Sequence, residues 1–357
     1  MKTIFRNKKI SGLLSVLPVT TVKFEDEINN YTFPPKQTLR LQKVMGYKQH
    51  AIVKDTTATS DLCFAGLEYI LQKDWLKKED IGGIVVACSY PDHFIPPVSM
   101  ILQGKLGLSE EVYCADISQG CVGFLMALTH GFMLLEHIEN KKVVVISADV
   151  LSKKVSKQDR NSYPLIGDAA GIAVLENCEE VNDIYTIIRN NGSMGDALTI
   201  PAGGSRIPCN EETAKLVDKD NDGNLRSLDN LTMKGSDVFT FVQTKVPPMI
   251  DEVLEYARVG KDEIEYYLFH QPNKFMLKKL AEKIGVPYEK VPMNVVEEFG
   301  NSSGACIPVC ATYNIADILK TEKHKYCLSA FGSGLTWEAM VMNIGSLDFC
   351  EMLVSDC

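Results

Sequence analysis

Ala115-Asp116-Ile117-Ser118-Gln119-Gly120-Cys121-Val122-Gly123-Phe124 is the stretch on which the reading of this chain turns. Upstream, Glu111 to Ile117 has the pattern of a short apolar strand. Downstream, Val122, Phe124, Leu125, Leu128, Phe132 and Leu135 recur at helical spacing, with few charges before Glu136. Cys121 therefore stands where a buried strand turns into a buried helix. A thiol in the first turn of a helix faces unpaired backbone N–H groups and the positive end of the dipole, which favours thiolate. Gly120 and Gly123 leave room beside it for a substrate. A buried cysteine is also a common inert core residue, so this stretch alone leaves nucleophile and core thiol both open.

Around this unit lie two fully apolar runs, Ile84–Cys88 and Val143–Ala148, of the kind found inside parallel sheets, and a third, Ala170–Leu175, after Gly167-Asp168. A helix is expected from Ser60, a fair N-cap, through Leu71, and a shorter one from Pro96 to Leu106. Beyond Ile184–Arg189 and a long polar insertion, a similar order returns. It runs through a helix over Asp237–Tyr256, a strand over Ile264–Phe269 and a helix over Lys274–Ile284 closed by Gly285 and Pro287. Asn301-Ser302-Ser303-Gly304 then opens an apolar helix, followed by a strand over Tyr326–Ala330 and a final strand over Leu335–Ile344. This is a duplication of pattern rather than of residues, and it divides the chain into halves at 1–178 and 179–357. In it, the helix behind Asn301 is the counterpart of the helix behind Cys121, so two buried helix N-termini aim at one site.

Composition narrows the function. A chain of 357 residues, 45% of them hydrophobic, buries a large core. Several of its eleven cysteines, such as Cys63, Cys88, Cys306 and Cys327, fall inside apolar runs, and the start at Met1-Lys2 shows no secretory pattern. Reduced thiols and a cytoplasmic location are the expectation. No apolar run reaches membrane-spanning length. The net charge of −9 argues against nucleic-acid binding, which needs a basic face. Cys306 and Cys310 are four apart, but no His or Cys pair elsewhere completes a zinc set. Asp218-Lys219-Asp220-Asn221-Asp222-Gly223-Asn224-Leu225-Arg226-Ser227-Leu228-Asp229 matches a calcium-loop spacing. No amphipathic helix pair flanks it, and Asp229 stands where a bidentate Glu is usual. It reads as a turn in a polar flap between Pro201 and Met233, near the substrate entrance, and no metal is expected.

Among six histidines, His270 ends the apolar strand Tyr266-Tyr267-Leu268-Phe269 and precedes Gln271-Pro272-Asn273. Open α/β sheets place functional groups at such strand ends. With it, three stretches form an ordered set: Asp116 to Phe124, His270-Gln271-Pro272-Asn273, and Phe299-Gly300-Asn301-Ser302-Ser303-Gly304. Gly167-Asp168-Ala169-Ala170-Gly171 and Phe331-Gly332-Ser333-Gly334-Leu335-Thr336-Trp337 support them. Over nearly its whole length the chain resembles the β-ketoacyl-acyl-carrier-protein synthase III family.

The resemblance implies a thiolase-like five-layered α/β/α/β/α fold made of two duplicated halves, a homodimer, and a Cys121, His270, Asn301 triad. Cys121 would take an acyl group from a thioester, since a thiolate exchanges acyl groups with little loss of thioester energy. His270 and Asn301 would donate hydrogen bonds to the oxygen of a malonyl thioester as it becomes an enolate. The backbone N–H groups of Cys121 and Ser333 would hold the acyl oxygen. Thiolases, which condense without decarboxylation, use a second cysteine and histidine, and a related ester-forming branch carries aspartate where this chain has Asn301, so Asn301 favours decarboxylative condensation. Acyl-coenzyme A and malonyl-acyl carrier protein are then substrates, with no resident cofactor and no membrane or nucleic-acid partner.

Lesser candidates for substrate or carrier contacts are Arg40, Asn273, Lys274, Lys278 and Phe239. Well-known members hold the coenzyme A adenine with a tryptophan and an arginine, aligned here with Arg40 and Val44. Where they contact the carrier protein with an arginine, this chain has Phe275. Lys274, Lys278, Lys279 and Lys283 form a stripe that suits an acidic carrier protein, or is an ordinary solvated face. The function expected is decarboxylating condensation in fatty-acid initiation or specialised lipid synthesis. Alternatives are a polyketide or specialised enzyme of the same fold with an unusual donor, or a non-catalytic partner subunit.

Overall fold

Alternate residues of the apolar strands face opposite ways, and both faces are covered. In the computed structural model of the protein, which describes residues 1–218, 221 and 223–357, Val143 and Val145 pack into one core while Val144 and Ile146 pack into another. A strand buried on both faces demands a layer of helices on each side.

Eleven strands build the two main sheets: β1 (Lys2–Phe5), β2 (Lys8–Pro18), β3 (Ile81–Cys88), β4 (Tyr113–Ser118), β5 (Lys142–Asp149), β6 (Ala169–Asn177), β7 (Ile184–Asn190), β8 (Tyr266–Phe269), β9 (Lys323–Gly332), β10 (Thr336–Gly345) and β11 (Phe349–Ser355). The helices that position the site are α1 (Pro35–Met45), α2 (Thr59–Gln72), α3 (Val98–Leu106), α4 (Gly123–Leu134), α5 (Gly235–Ala257), α6 (Lys274–Ile284) and α7 (Cys306–Asn314). The first sheet runs β11-β2-β6-β5-β3-β4 and the second β1-β7-β10-β9-β8. Helices α4 and α7 lie between the sheets in a shared core that includes Leu125, Leu128, Phe132 and Val309. Helices α2 and α3 cover the outer face of the first sheet, and α5 and α6 that of the second. This is the five-layered α/β/α/β/α arrangement.

The duplication is visible in the pairing. Strand β6 lies between β2 and β5 and is antiparallel to both, and β5 is parallel to β3. Strands β7, β10, β9 and β8 repeat that sequence of directions. The boundary between 178 and 179 falls between β6 and β7, yet the terminal strands cross it. N-terminal β1 pairs with β7 in the second sheet, and C-terminal β11 pairs with β2 in the first. Leu335–Ile344 is thus not the last strand.

Two local details also differ from the sequence reading. Helix α2 has Ala58, not Ser60, at its N-cap; Asp61 Oδ2 accepts from the Ala58 N–H (2.9 Å), while Ser60 Oγ donates to Asp92 Oδ2 (2.7 Å). Helix α3 starts at Val98, two residues later than expected, because Asp116 accepts from the Val98 and Ser99 N–H groups (2.6 and 2.9 Å). A carboxylate on those orphan donors fixes the helix start.

Of the calcium-like run, Lys219, Asp220 and Asp222 lie outside the described residues. The rest forms a hairpin, with Val217–Asp218 paired to Leu225–Arg226, and Asp218 Oδ2 accepts from the Gly223 N–H (2.8 Å). Arg226 is buried against Asp159, and Asn224 Oδ1 accepts from the Arg160 N–H (3.1 Å). Among the described residues no His, Cys, Asp and Glu group has the arrangement of a metal site. No helix among them is long and apolar enough to cross a membrane.

Candidate active site

Strand β4 ends at Ser118, and the turn Gln119-Gly120-Cys121-Val122 delivers the chain into α4. Gln119 ties this turn to the one between β9 and β10: its Oε1 accepts from the Gly120 N–H (3.1 Å) and from Ser333 Oγ (3.0 Å). A Cβ added to Gly332 would lie 2.5 Å from Cys121 Cβ, so the Ser333 turn is packed against the thiol. At Ser333 itself no left-handed conformation is needed; that falls on Gly334 (φ 124°), and serine keeps its backbone donor without strain.

Asn301 comes from the second half through a strand-like bridge to Ile166. Its N–H donates to Leu165 O (2.5 Å), and its carbonyl accepts from the Gly167 N–H (3.0 Å). The neighbouring Asp168 is buried and accepts from Val53 and Ser152 N–H groups (2.9 Å each), which holds the Gly167-Asp168 loop in place. The Asn301 side chain is itself held: Oδ1 accepts from the Ser303 N–H (3.0 Å) and from the Cys306 thiol (3.2 Å). With the oxygen so engaged, the Asn301 NH2 is left as a donor.

His270 follows β8, and its N–H donates to Ser329 O (2.8 Å). The ring is buried, edge-on to Phe331 with centroids 5.7 Å apart, and Nδ1 has no hydrogen-bond partner among the described residues. Ser303 joins the three residues. It sits at φ 56°, its N–H holds Asn301, its hydroxyl lies against Gly120 next to Cys121, and its backbone faces the His270 ring.

The electrostatics correct one expectation. Burial pushes the Cys121 thiol up to about 12, with Cys306 and Asp149 adding to the rise. The N-terminal backbone and Ser303 pull the other way and are outweighed. The resting form is therefore the thiol, because desolvation of a sulfur anion exceeds the benefit of one helix terminus. Burial likewise drives His270 down to about 4, opposed by the Ser303 backbone, so its imidazole is neutral near pH 7. Asp149 is pushed up to about 6 by burial, although the Ser89 N–H and hydroxyl and the Tyr90 N–H donate to its Oδ1.

The structure thus gathers Cys121, His270, Asn301 and Ser333. The other candidates sit apart, on α1, α5 and α6. Asn273 caps α6, with Oδ1 accepting from the Met276 N–H (2.8 Å). Lys274 pairs with Glu297 (2.8 Å), Lys278 is exposed, and Phe239 stacks on Phe275 with centroids 5.7 Å apart. Arg40 is exposed on α1, whose C-terminal Gly46 packs against Lys274. Sequence reasoning missed Cys306, Asp149 and the linking role of Gln119. Cys306 lay in an apolar run, where a thiol reads as core, and the other two carry no distinguishing spacing.

Residues 115–192 match 3-oxoacyl-[acyl-carrier-protein] synthase III, and residues 254–344 match its C-terminal part. A putative 3-oxoacyl-[acyl-carrier-protein] synthase 3 of Campylobacter jejuni is 29% identical over 99% of both chains. A β-ketoacyl-[acyl-carrier-protein] synthase III of Streptococcus sanguinis is 32% identical over 84% of this chain and 88% of its own. The crystal structure of a 3-oxoacyl-(acyl-carrier protein) synthase from Burkholderia xenovorans LB400 superposes with a TM-score of 0.92, at 28% identity over 99% of both chains. Fold, ordered motifs and relatives agree, and the chain belongs to the β-ketoacyl-acyl-carrier-protein synthase III family of condensing acyltransferases.

Proposed function

We propose that the protein joins an acyl group to malonyl-acyl carrier protein by decarboxylating Claisen condensation, through an acyl-Cys121 intermediate. The observation that carries this reading is the fixed amide of Asn301: its oxygen is occupied by Ser303 and Cys306, and its NH2 remains to donate. Beside it stands a neutral His270. Two neutral donors suit an oxygen that becomes an enolate, and neither is an acid or base for ester formation.

In the first step Cys121 Sγ attacks the donor thioester carbonyl. The bond to coenzyme A or the carrier sulfur breaks, and the thiol proton of Cys121 leaves with that departing sulfur. The acyl oxygen rests on the N–H groups of Cys121 and Ser333. In the second step the malonyl C–CO2 bond breaks and releases carbon dioxide, with the enolate oxygen held by His270 and Asn301. The enolate carbon attacks the acyl-cysteine, and the tetrahedral centre collapses to expel Cys121 sulfur, which regains a proton. Separate assays of acyl loading and malonyl decarboxylation test this division. Asn301→Ala should load and fail to decarboxylate.

An unusual acyl donor is favoured by two surface features. Val44 is half exposed, where well-known members present an adenine-binding side chain, and Phe275 stacks on Phe239 instead of offering a cation. A donor panel scored by which thioester loads Cys121 separates the two. Phe94 and Ile95, 86% and 83% exposed, are apolar side chains that a second copy of the chain would cover, in keeping with a homodimer. A cytoplasmic location suits the reduced thiols.

A further inference from the structure

We propose that Cys306 is a positioning residue for the condensation: its thiol locks the side-chain amide of Asn301 in the orientation that presents NH2, rather than oxygen, to the reacting thioester. The inference rests on the reading of Asn301 as an enolate donor and deepens it.

An asparagine amide has two orientations of nearly equal shape, related by half a turn about its last bond, and only its partners distinguish them. In the wrong orientation Asn301 would face a developing enolate with its carbonyl oxygen, a repulsion in place of a donor. Two groups prevent this. The Ser303 N–H donates to Oδ1 at 3.0 Å, and Cys306 Sγ lies 3.2 Å from the same atom, close for a thiol donor. Were the amide to turn over, its NH2 would meet the Ser303 N–H, and the thiol would lose its nearest acceptor.

The thiol has one proton to give, and the geometry directs it. Gln271 O lies 4.0 Å away, at the limit of a sulfur contact, while Ser302 Oγ donates to Cys306 Sγ at 3.7 Å and so occupies its acceptor side. Cys306 is wholly buried on the first turn of α7, with its side chain fixed by packing. Burial pushes its thiol up to about 11, so the proton is present throughout the neutral range. The residue does not touch the substrate oxygen itself; it acts through Asn301.

The test compares Cys306→Ala, Cys306→Val and Cys306→Ser in the full chain, measuring acyl loading of Cys121 and malonyl-thioester decarboxylation separately. Loss of a neutral hydrogen bond that orients a donor is expected to lower kcat for decarboxylation about tenfold in the Ala and Val variants. Loading and the KM for the malonyl substrate should stay within about twofold, and Cys306→Ser, which keeps a donor, should decarboxylate within about threefold of the original chain. In an Asn301→Ala background, Cys306→Ala should cause no further loss. Decarboxylation at the original rate in a folded Ala or Val variant overturns the proposal, as does an equal fall in loading and decarboxylation, or a serine variant as slow as alanine. Should Cys306→Ala fail to fold, Val against Ser makes the same comparison. Asn301→Ala that still decarboxylates at full rate overturns the reading of Asn301 as well, whereas a dead Asn301→Ala with an unaffected Cys306→Val overturns the positioning role alone.

Discussion

Cys121 and Gly332 are in contact across the two halves of the chain: a methyl group built on Gly332 would sit 2.5 Å from Cys121 Cβ and 2.9 Å from its Sγ. The backbone at Gly332, with φ 170°, is extended and open to alanine, so the glycine is there for space. Gly332→Ala is expected to push the Cys121 side chain away from the Ser333 turn. Overpacking at such a contact costs about 1–3 kcal/mol, and acyl loading should fall about tenfold or more at unchanged circular dichroism. Rapid-quench measurement of loading gives the check.

His270 is held neutral by burial, with its imidazole driven down to about 4. Decarboxylation by the acyl-enzyme should therefore show no step near the ordinary histidine value of about 6.5. His270→Ala should slow decarboxylation by about 10²–10³ and leave loading intact. A step near neutrality that disappears in the variant would contradict a neutral donor.

Glu338 supplies a stability prediction. It is fully buried in β10, facing the central helices, and accepts from Thr129 Oγ1 of α4 (2.7 Å). Burial pushes its carboxyl from 4.5 up to about 8. Between those values the unfolded chain has released the proton that the folded chain keeps, so stability falls as pH rises and levels off above pH 8, by at most about 1.4 kcal/mol per pH unit. His50, also raised and paired with Glu27 at 3.2 Å, acts in the same direction as pH rises through its folded value. Glu338→Gln keeps the acceptor for Thr129 and removes the titrating proton: its melting temperature should exceed that of the original chain increasingly from about pH 6 to pH 8. Parallel melting curves over that window would contradict it.

Much of this fold was legible because local chemistry marks it. Helix α6 falls on Lys274–Ile284 as read, since Asn273 caps it, Gly285 ends it, and Leu277, Leu280 and Ile284 share one buried face. The exchange of β1 and β11 between sheets was not legible, because a pairing between strands far apart in the chain leaves no mark on either of them. The resting state of Cys121 was misread for a similar reason. A helix N-terminus is visible in sequence, but the burial that outweighs it, to which Gly332 contributes, and the charges of Cys306 and Asp149 that add to it come from parts of the fold distant in the chain. Glu338 sits in the run Thr336 to Ile344 as one charge among apolar residues, and only the paired sheets show that it points inward.

The exposed Lys278, Lys279 and Lys283 of α6 supply a further expectation. Reversing Lys278 and Lys283 to glutamate should raise the KM for a malonyl group on carrier protein several-fold, roughly 3–10-fold at low salt, and leave loading from acyl-coenzyme A unchanged. Equal KM values at low salt would show that the stripe is only a solvated face.

Whether Cys121 carries the acyl group is read from intact mass after incubation with a panel of acyl-coenzyme A and carrier-bound thioesters. A single acyl adduct from at least one donor is expected, located at Cys121 by peptide mapping and absent in Cys121→Ala. No adduct from any donor, or an adduct that persists in Cys121→Ala, would contradict it.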